Sequence, residues 1–361
     1  MAPKIILSTQ TPPQKSKLAR IALSSPEVQS LLPMWFKHLL TLPVPQEVLV
    51  HDFNSIQHAE DLNAQNPAFS TSVALLPQHA YRSRYCNILP YDYNRVRLAT
   101  PSLLRDYRPE AVGGEYSDFI NASFLQGPGG CTRYIATQGP MPETLSDFWQ
   151  MIWEQNSRLV VMLTQEYESG RIKCHRYWPS TVGESVVVPT DNGLRIELGL
   201  ASETHSMPFI LREIRLALGG QEPRTITHLQ FTEWPDHGTC NSGDLLTLID
   251  EANRIQDSLE LETPGPMVVH CSAGCGRTGT FCVVDTILSL LDQVREGFDL
   301  HQDWVQQIVS LFRTQRTTMV QSLAQYMLCY EAVLQRIIEA QEVRGEESIQ
   351  YHRTPSKARR G

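Results

Sequence analysis

Residues 268–280, VVHCSAGCGRTGT, place a cysteine, several glycines and an arginine at a spacing that suits phosphate chemistry. A short apolar run ends at His270, a glycine-rich loop follows, and a helical pattern begins at Arg277. Glycines allow the loop amides to turn inward, and a helix amino terminus adds unpaired N–H groups and the positive end of its dipole. The stretch therefore predicts a cradle for a dianion such as phosphate.

Cys271 and Arg277 distinguish this loop from one that only binds nucleotides. A free thiol has a pKa of about 8.5, and inward-facing amides, a helix dipole and a guanidinium group all favour the thiolate. Arg277 can hold two phosphoryl oxygens at once, in the substrate and in the transition state. The pair predicts phosphoryl transfer through a cysteinyl phosphate. The alternative is a structural cysteine in a tight turn.

The string HCSAGCGRTG resembles the signature loop of the classical, tyrosine-specific protein tyrosine phosphatases. Further stretches resemble the same family in chain order, at residues 83–98, 117–124, 134–154, 159–179, 228–238 and 312–326. The resemblance implies an enzyme that hydrolyses phosphotyrosine in proteins without a metal or other cofactor. It implies an α/β (α+β) fold, in which helices flank a highly twisted mixed β-sheet and the signature loop lies between a strand and a helix. It also implies that the loop itself binds phosphate, through Ser272, Ala273, Gly274, Cys275 and Gly276.

The sequence WPDHG, residues 234–238, is the second chemical element. A phenolate leaves easily only when a proton reaches its oxygen, so Asp236 is the candidate general acid, and the resemblance implies that it is the base of the second step. Trp234 and Pro235 resemble a hinge and an anchor that let this loop close over substrate. Cys240 stands where relatives often have proline. An aspartate that merely forms a turn is the alternative.

Tyr85 and Asn87, in SRYCNI, are the candidate substrate-recognition residues. Tyr85 resembles the aromatic wall that stacks on the substrate ring and makes the pocket too deep for phosphoserine. Asn87 is placed to hydrogen-bond the substrate backbone, whereas Ser83 replaces an asparagine that is common in relatives. The alternative for Tyr85 is a core tyrosine.

Further residues are assigned to the second step and to support. Gln321 matches the family's water-positioning residue, and Gln325 follows four residues later on a predicted helix face, which could equally be an exposed polar face. Thr278 is expected to donate to the departing thiolate. The resemblance implies that Glu168 and Lys173 brace the signature arginine and the acid loop, whereas an unsupported pair of this kind is a solvated hairpin charge pair. His270 is expected to support the loop by hydrogen bonds.

Composition limits the partners and the compartment. The 361 residues carry a net charge of −8, which argues against nucleic acid as the main partner. The eight cysteines show no CxxC spacing, and one must be a free thiol, which indicates a reducing compartment, the cytoplasm or the nucleus. No apolar run approaches the length of a membrane span or of a signal peptide.

The predicted layout is a flexible segment 1–25, a catalytic domain 26–343 and a flexible tail 344–361. Helical patterns in residues 26–65 flank the domain, starting after a serine cap at Ser25. Strand patterns dominate residues 81–240, and helical patterns follow.

Three other functions compete with an active phosphotyrosine phosphatase. A phosphotyrosine-binding pseudoenzyme would lack the cysteine, the arginine or the acid, and all three are present. A lipid or dual-specificity phosphatase favours lysines in the signature loop or a shallower pocket, and SAGCG has no lysine. A metal site at His270, Cys271 and Cys275 lacks ordinary zinc spacing.

Two regulatory predictions complete the sequence analysis. A low-pKa thiolate predicts reversible inactivation by peroxide. The family resemblance implies closure onto the nitrogen of Ser272, and Cys275 on the same loop is the alternative partner. In residues 15–23, a basic cluster precedes Ile21 and Leu23 in alternate positions. That order resembles the docking peptides by which mitogen-activated protein kinases recruit phosphatases, and the alternative is a solubilising basic stretch.

Overall fold

The computed structural model describes residues 24–42, 45–99, 117–130, 132–188, 190, 194–235, 238–261, 263–293 and 301–353. The predictions for residues 15–23 and for Asp236 therefore lie outside the described residues. No helix within these ranges is long and apolar enough to cross a membrane.

Nine strands of the described ranges form one mixed sheet in the order β1-β2-β3-β11-β4-β10-β9-β8-β7. Its centre is parallel, because β11 pairs with β3 and β4, and β4 pairs with β10 in the same direction. Antiparallel pairs extend the sheet on both sides, and β5 and β6 form a separate hairpin. The strands are β1 Arg95–Arg97, β2 Phe119–Gln126, β3 Thr132–Thr137, β4 Leu159–Met162, β5 Tyr167–Glu168, β6 Arg171–Ile172, β7 Ser185–Val188, β8 Ile196–Ser206, β9 Phe209–Leu218, β10 Arg224–Phe231 and β11 Met267–His270.

Helices cover both faces of this sheet. They are α1 Pro26–Leu31, α2 Met34–Thr41, α3 Pro45–Asn63, α4 Leu145–Glu154, α5 Ser242–Asp257, α6 Gly276–Gln293, α7 Trp304–Gln315 and α8 Leu323–Arg353. Neighbouring residues of the central strands point to opposite faces, so Val268 packs against one core cluster with α4 and Val269 packs against the other with α5 to α8. Both faces are apolar because the parallel strands are covered on both sides.

The predicted fold is confirmed, and the element boundaries refine it. The serine cap is present, with the Ser25 hydroxyl accepting a hydrogen bond from the Val28 amide at 3.2 Å. Pro33 divides the first helical pattern into α1 and α2, because proline cannot continue the helix that precedes it. Helix α8 continues to Arg353, whereas the sequence predicts a flexible tail from residue 344. The Glu, Gln and Arg residues of that stretch have high helix propensity.

Candidate active site

The signature loop connects the central strand β11 to helix α6. Cys271 follows β11 directly and is buried, with its sulfur accepting a hydrogen bond from the Gly274 amide at 3.3 Å. Helix α6 begins at Gly276 and carries Arg277 and Thr278 in its first turn. The strand, loop and helix order predicted for this stretch is therefore the observed one.

Two glycines are required by the close packing of this loop. Gly274 has a φ of 73°, and a Cβ at this position would lie 2.1 Å from the carbonyl oxygen of Thr137. A Cβ on Gly279 would lie 2.3 Å from the backbone nitrogen of Val320. Any side chain would thus displace the loop from β3 or from the segment before α8.

Arg316 orients the loop carbonyls, and the sequence reasoning missed it. Its fully buried guanidinium donates to the carbonyl oxygens of Gly274 at 2.7 Å and Ala273 at 3.0 Å, and to Asn121 Oδ1 at 2.9 Å. Burial lowers its pKa to about 10, so it remains charged at neutral pH. Because these carbonyls point towards Arg316, the loop amides are free to face the pocket. The stretch 312–326 already contained this arginine, but nothing in the sequence distinguished it from Arg313.

Several groups favour the thiolate of Cys271. Burial is the largest effect and raises the pKa of this thiol. The side chain and backbone of Thr278, the charge of Arg277 and the Cys275 amide together outweigh burial, so the pKa is below its ordinary value. The Thr278 hydroxyl is itself buried and has no hydrogen-bond partner of ordinary geometry in the described part of the chain. Cys275 differs, because burial raises the pKa of its thiol to about 12.

Glu168 holds Arg277 in a two-pronged ion pair. Its carboxylate oxygens lie 2.6 and 2.8 Å from the two terminal guanidinium nitrogens, and both side chains are largely buried. Burial raises the pKa of Glu168, but its hydrogen bonds and charge pairing with Arg277 outweigh this effect and lower the pKa overall. The carboxylate therefore stays ionised and fixes the plane of the guanidinium. Lys173 lines the same pocket, after the hairpin that carries Glu168.

The residues around the candidate acid also contact Arg277. The Pro235 carbonyl accepts a hydrogen bond from it at 3.3 Å, and the Trp234 ring lies 5.8 Å from its guanidinium carbon. The Trp234 indole donates to the Gly238 carbonyl at 3.4 Å across the turn. Burial raises the pKa of Cys240 to about 12, so this thiol is neutral at physiological pH. The signature arginine and the loop that contains Asp236 are therefore linked directly.

Tyr85 and Asn87 line the same cavity as Cys271, which has a volume of about 450 Å³. The Tyr85 hydroxyl lies 2.9 Å from the hydroxyl of Ser272, which donates to the Lys173 carbonyl at 2.8 Å. Ser83 accepts a hydrogen bond from the Asn121 side chain at 3.1 Å. The Ser83 hydroxyl thus anchors the loop before the pocket to β2.

Gln321 and Gln325 both line the cavity, but they do not share a helix face. Helix α8 begins at Leu323, so Gln321 precedes it, and the Gln325 side chain accepts a hydrogen bond from the Gln321 amide at 2.9 Å. Thr318 and Val320 have φ values of 60° and 57°, which turn the chain sharply before the helix. The prediction of one helical face is therefore wrong, although both amides reach the pocket.

His270 begins an ordered chain of hydrogen bonds behind Cys271. Its Nδ1 lies 3.0 Å from the carbonyl oxygen of Cys271, which can only accept, so Nδ1 carries the proton. Burial lowers its pKa to about 4, so the ring is neutral and its Nε2 accepts from the Tyr177 hydroxyl at 2.7 Å. Tyr177 in turn accepts from His228 Nε2 at 2.7 Å, and His228 Nδ1 accepts from Arg212 at 3.2 Å. The donor and the acceptor of each hydrogen bond from the Cys271 carbonyl to Arg212 are thereby assigned.

The described residues contain no group of three or more His, Cys, Asp or Glu side chains arranged to hold a metal ion. The cysteines of the described ranges are all free thiols. The pocket thus places the free Cys271 thiol in one cavity with the Arg277 guanidinium.

Comparison with known proteins gives a consistent result. The protein-tyrosine phosphatase family model matches residues 79–335. Tyrosine-protein phosphatase non-receptor type 13 of Mus musculus is 39% identical over 279 residues, which cover 76% of this chain and 10% of that protein. Tyrosine-protein phosphatase non-receptor type 18 of Homo sapiens is 35% identical over 291 residues, 80% of this chain and 58% of that protein. This chain thus spans between a tenth and somewhat over half of the length of these relatives.

A solved structure of PTPN18 in complex with HER2 phosphopeptides superposes with a TM-score of 0.69 at 33% identity. The match covers 80% of this chain and 92% of that one.

Proposed function

This chain belongs to the protein-tyrosine phosphatase family, and we propose that it hydrolyses phosphotyrosine in proteins through a cysteinyl-phosphate intermediate. The observation that carries the proposal is one cavity that joins the Cys271 thiol, the Arg277–Glu168 pair and the Tyr85 ring. A thiol with a lowered pKa supplies the nucleophile, and a fixed guanidinium binds the phosphoryl oxygens.

In the first step, the Cys271 thiolate attacks phosphorus, and the bond to the tyrosine oxygen breaks. Arg277 and the loop amides bind the equatorial oxygens as their charge redistributes. The departing phenolate takes a proton from Asp236, which becomes a carboxylate. Tyr85 stacks beside the substrate ring, and Asn87 binds the substrate backbone, so depth selects phosphotyrosine over shorter phosphorylated residues.

In the second step, water attacks the cysteinyl phosphate. Gln321 and Gln325 position this water without competing as nucleophiles, and the Asp236 carboxylate takes its proton. The sulfur leaves as a thiolate, and the buried Thr278 hydroxyl, which has no partner of ordinary geometry in the described ranges, is available to stabilise it. The products are inorganic phosphate and the enzyme in its starting protonation state.

The Cys271→Ser variant tests the covalent mechanism. We expect it to lose turnover of an aryl phosphate and keep phosphotyrosine-peptide binding, because Arg277 and the loop amides remain. Binding is measured by calorimetry and turnover by phosphate release. More than trace hydrolysis by this variant would exclude a cysteinyl phosphate. If the unmodified protein binds the phosphopeptide but releases no phosphate, it is a pseudoenzyme.

The Asp236→Asn variant tests the acid separately. We expect a large loss of kcat with phenyl phosphates and a smaller loss with leaving groups that are already acidic and need no proton. Equal losses for both substrates would remove Asp236 from this role. The Asp236→Ala variant, used as a substrate trap with mass spectrometry, identifies the phosphoproteins that bind.

Residues 15–23 support a narrower partner proposal, the docking of a mitogen-activated protein kinase. The support is their charge and the alternation of Ile21 and Leu23. Deletion of residues 11–24 is expected to lower kcat/KM towards an intact phosphorylated kinase about tenfold, or about 1.4 kcal/mol, without changing the rate on a small aryl phosphate. Unchanged rates on the kinase would dismiss docking.

For localisation, we propose the cytoplasm, with the nucleus as the second reducing compartment. Free thiols in the described ranges support it, as do the relatives named as non-receptor phosphatases. Imaging of a tagged chain tests it, and accumulation in the secretory pathway would contradict it.

A further inference from the structure

A second large cavity lies at the amino-terminal ends of strands β4 and β10, whereas the signature loop lies beyond their carboxyl ends. Its volume is about 790 Å³, and its lining includes Arg158, before β4, and Arg224, at the start of β10. These strands run parallel towards the active site, where the Leu163 carbonyl and the Trp234 ring contact Arg277. The cavity and the catalytic pocket therefore lie at opposite ends of the same strands.

Protein contacts already fix both arginines. The Arg224 guanidinium carbon lies 3.6 Å from the centre of the Trp153 ring, and the same side chain donates to the Trp153 carbonyl at 2.9 Å. Arg158 donates to the side-chain oxygen of Asn156 at 3.2 Å, and its buried Nε has no hydrogen-bond partner within the described residues. Little side-chain entropy is left to lose when a ligand binds.

No carboxylate neutralises these cations in the part of the chain that the structure describes. Glu222 and Glu260 line the cavity, but both are exposed and neither forms an ion pair with Arg158 or Arg224. Burial lowers the pKa of Arg158, while burial and then the positive charge of Arg158 lower the pKa of Arg224. The two guanidinium groups therefore repel each other and remain charged.

We propose that this cavity binds an oxyanion of the phosphate class between the guanidinium groups of Arg158 and Arg224. A phosphate dianion carries enough charge to neutralise both arginines and enough oxygens to meet two guanidinium forks. A carboxylate carries one charge and two oxygens, so it would leave one arginine unpaired. The phosphate can be free inorganic phosphate or a phosphorylated side chain of a partner. None of the described residues that line the cavity is a cysteine, so we expect the site to bind phosphate without hydrolysing it through a cysteinyl intermediate.

Backbone NMR of the full chain separates this site from the catalytic one. During titration with inorganic phosphate, we expect the amides of Thr225 and Leu261 to shift independently of the Gly274 amide, which reports on the catalytic loop. In the Arg158→Gln/Arg224→Gln double variant, the Thr225 and Leu261 shifts should require at least about tenfold more phosphate, while the Gly274 response stays unchanged. Amides at Thr225 and Leu261 that do not respond in the wild type, or respond equally in the double variant, would overturn the proposal.

Three ligands distinguish the source of the anion. A phosphoserine peptide that binds about tenfold more tightly than inorganic phosphate identifies a phosphorylated partner, whereas equal affinity identifies free phosphate. A matched glutamate peptide should shift the same amides weakly. If it binds as tightly as the phosphoserine peptide, the assignment to the phosphate class is wrong.

Three controls distinguish a loss of phosphate binding from a folding defect. The double variant should retain wild-type activity on a small aryl phosphate, because neither arginine contacts the catalytic pocket. If Arg224→Gln disturbs the packing on Trp153, the single Arg158→Gln variant repeats the test, since Arg158 does not stack on that ring. Arg336→Gln removes an arginine that is already paired with Asp250, and it should leave every phosphate-dependent shift intact.

Discussion

Replacement of Tyr177 by phenylalanine tests the series of hydrogen bonds behind Cys271. The hydroxyl donates to His270 and accepts from His228, at 2.7 Å in each case. Its removal leaves one acceptor and one donor without a partner at positions that are fully buried. Burial lowers the pKa of both histidines, so the two rings stay neutral at physiological pH. A change of protonation therefore does not relieve the loss of the two hydrogen bonds.

The expected loss of stability follows from these two groups. An unsatisfied buried donor or acceptor costs about 1–3 kcal/mol, so the variant should lose roughly 2–6 kcal/mol of unfolding free energy. A typical domain has roughly 5–15 kcal/mol of stability, so all but the largest of these losses leave the variant folded at room temperature. His270 also loses the contact that orients its ring, and the Cys271 carbonyl that it holds becomes less fixed.

Two measurements test this reasoning. Urea unfolding gives the change in free energy, and the pH profile of kcat/KM reports the ionisation of the free enzyme. A looser loop stabilises the thiolate less, so the pKa of Cys271 rises and the acid limb of the profile moves to higher pH. A purely structural role for Tyr177 would change the stability and leave the acid limb in place.

Tyr326→Phe is the matched control. Tyr326 is equally buried, but its hydroxyl pairs with the Tyr330 hydroxyl at 3.0 Å, and Tyr330 still donates to Asp303 at 2.7 Å. The control should lose only about 0.5–1.5 kcal/mol and keep the wild-type pH profile. Equal destabilisation of the two variants, together with an unmoved acid limb for Tyr177→Phe, would refute the claim that these hydrogen bonds support the Cys271 thiolate.

Three other predictions concern pH and the loop. His228 and His270 are neutral when folded but protonate below a pH of about 6.5 when unfolded. The unfolding free energy should therefore fall as pH drops from about 6.5 towards 4, by up to about 1.4 kcal/mol per pH unit for each histidine, and a flat urea-unfolding profile over this range would contradict it. Gly274→Ala should remove most activity and lower the melting temperature, because its Cβ would meet a β3 carbonyl oxygen; wild-type kcat/KM in a phosphatase assay would be inconsistent with that clash. Glu168→Gln should lower kcat/KM about 10- to 100-fold, or roughly 1.4–2.7 kcal/mol, by freeing the Arg277 guanidinium. An unchanged value would mean that the loop alone holds this arginine.

Local patterns were sufficient to predict the secondary-structure elements and the loop that carries Cys271. The apolar run before His270, the glycines and the helical period after Arg277 predicted the observed strand, loop and helix. The Ser25 cap and the strand patterns could also be predicted from the sequence, because capping and periodicity depend on neighbours a few residues apart. The family resemblance supplied the order of the remaining blocks.

The same local rules failed where backbone conformation departs from a repeat. Gln321 and Gln325 have helical spacing, but the left-handed φ values of Thr318 and Val320 place the helix start after Gln321. Spacing alone does not reveal such a turn, since both residues are non-glycine and carry no turn signature. The continuation of α8 to Arg353 was overlooked for a different reason, because its charge was given more weight than its helix propensity.

The sequence by itself determined the strand, the glycine-rich loop and the helix that carry Cys271 and Arg277, because these lie within one short stretch whose spacing fixes their geometry. Only the tertiary structure decided which groups control them. Glu168 reaches Arg277 across the hairpin of β5 and β6, and Arg316 reaches the loop carbonyls from the segment before α8. The chain from His270 to Arg212 exists because the sheet order places β11, β4, β10 and β9 side by side. Such contacts join residues that are remote along the chain, and no local period encodes which remote strands become neighbours.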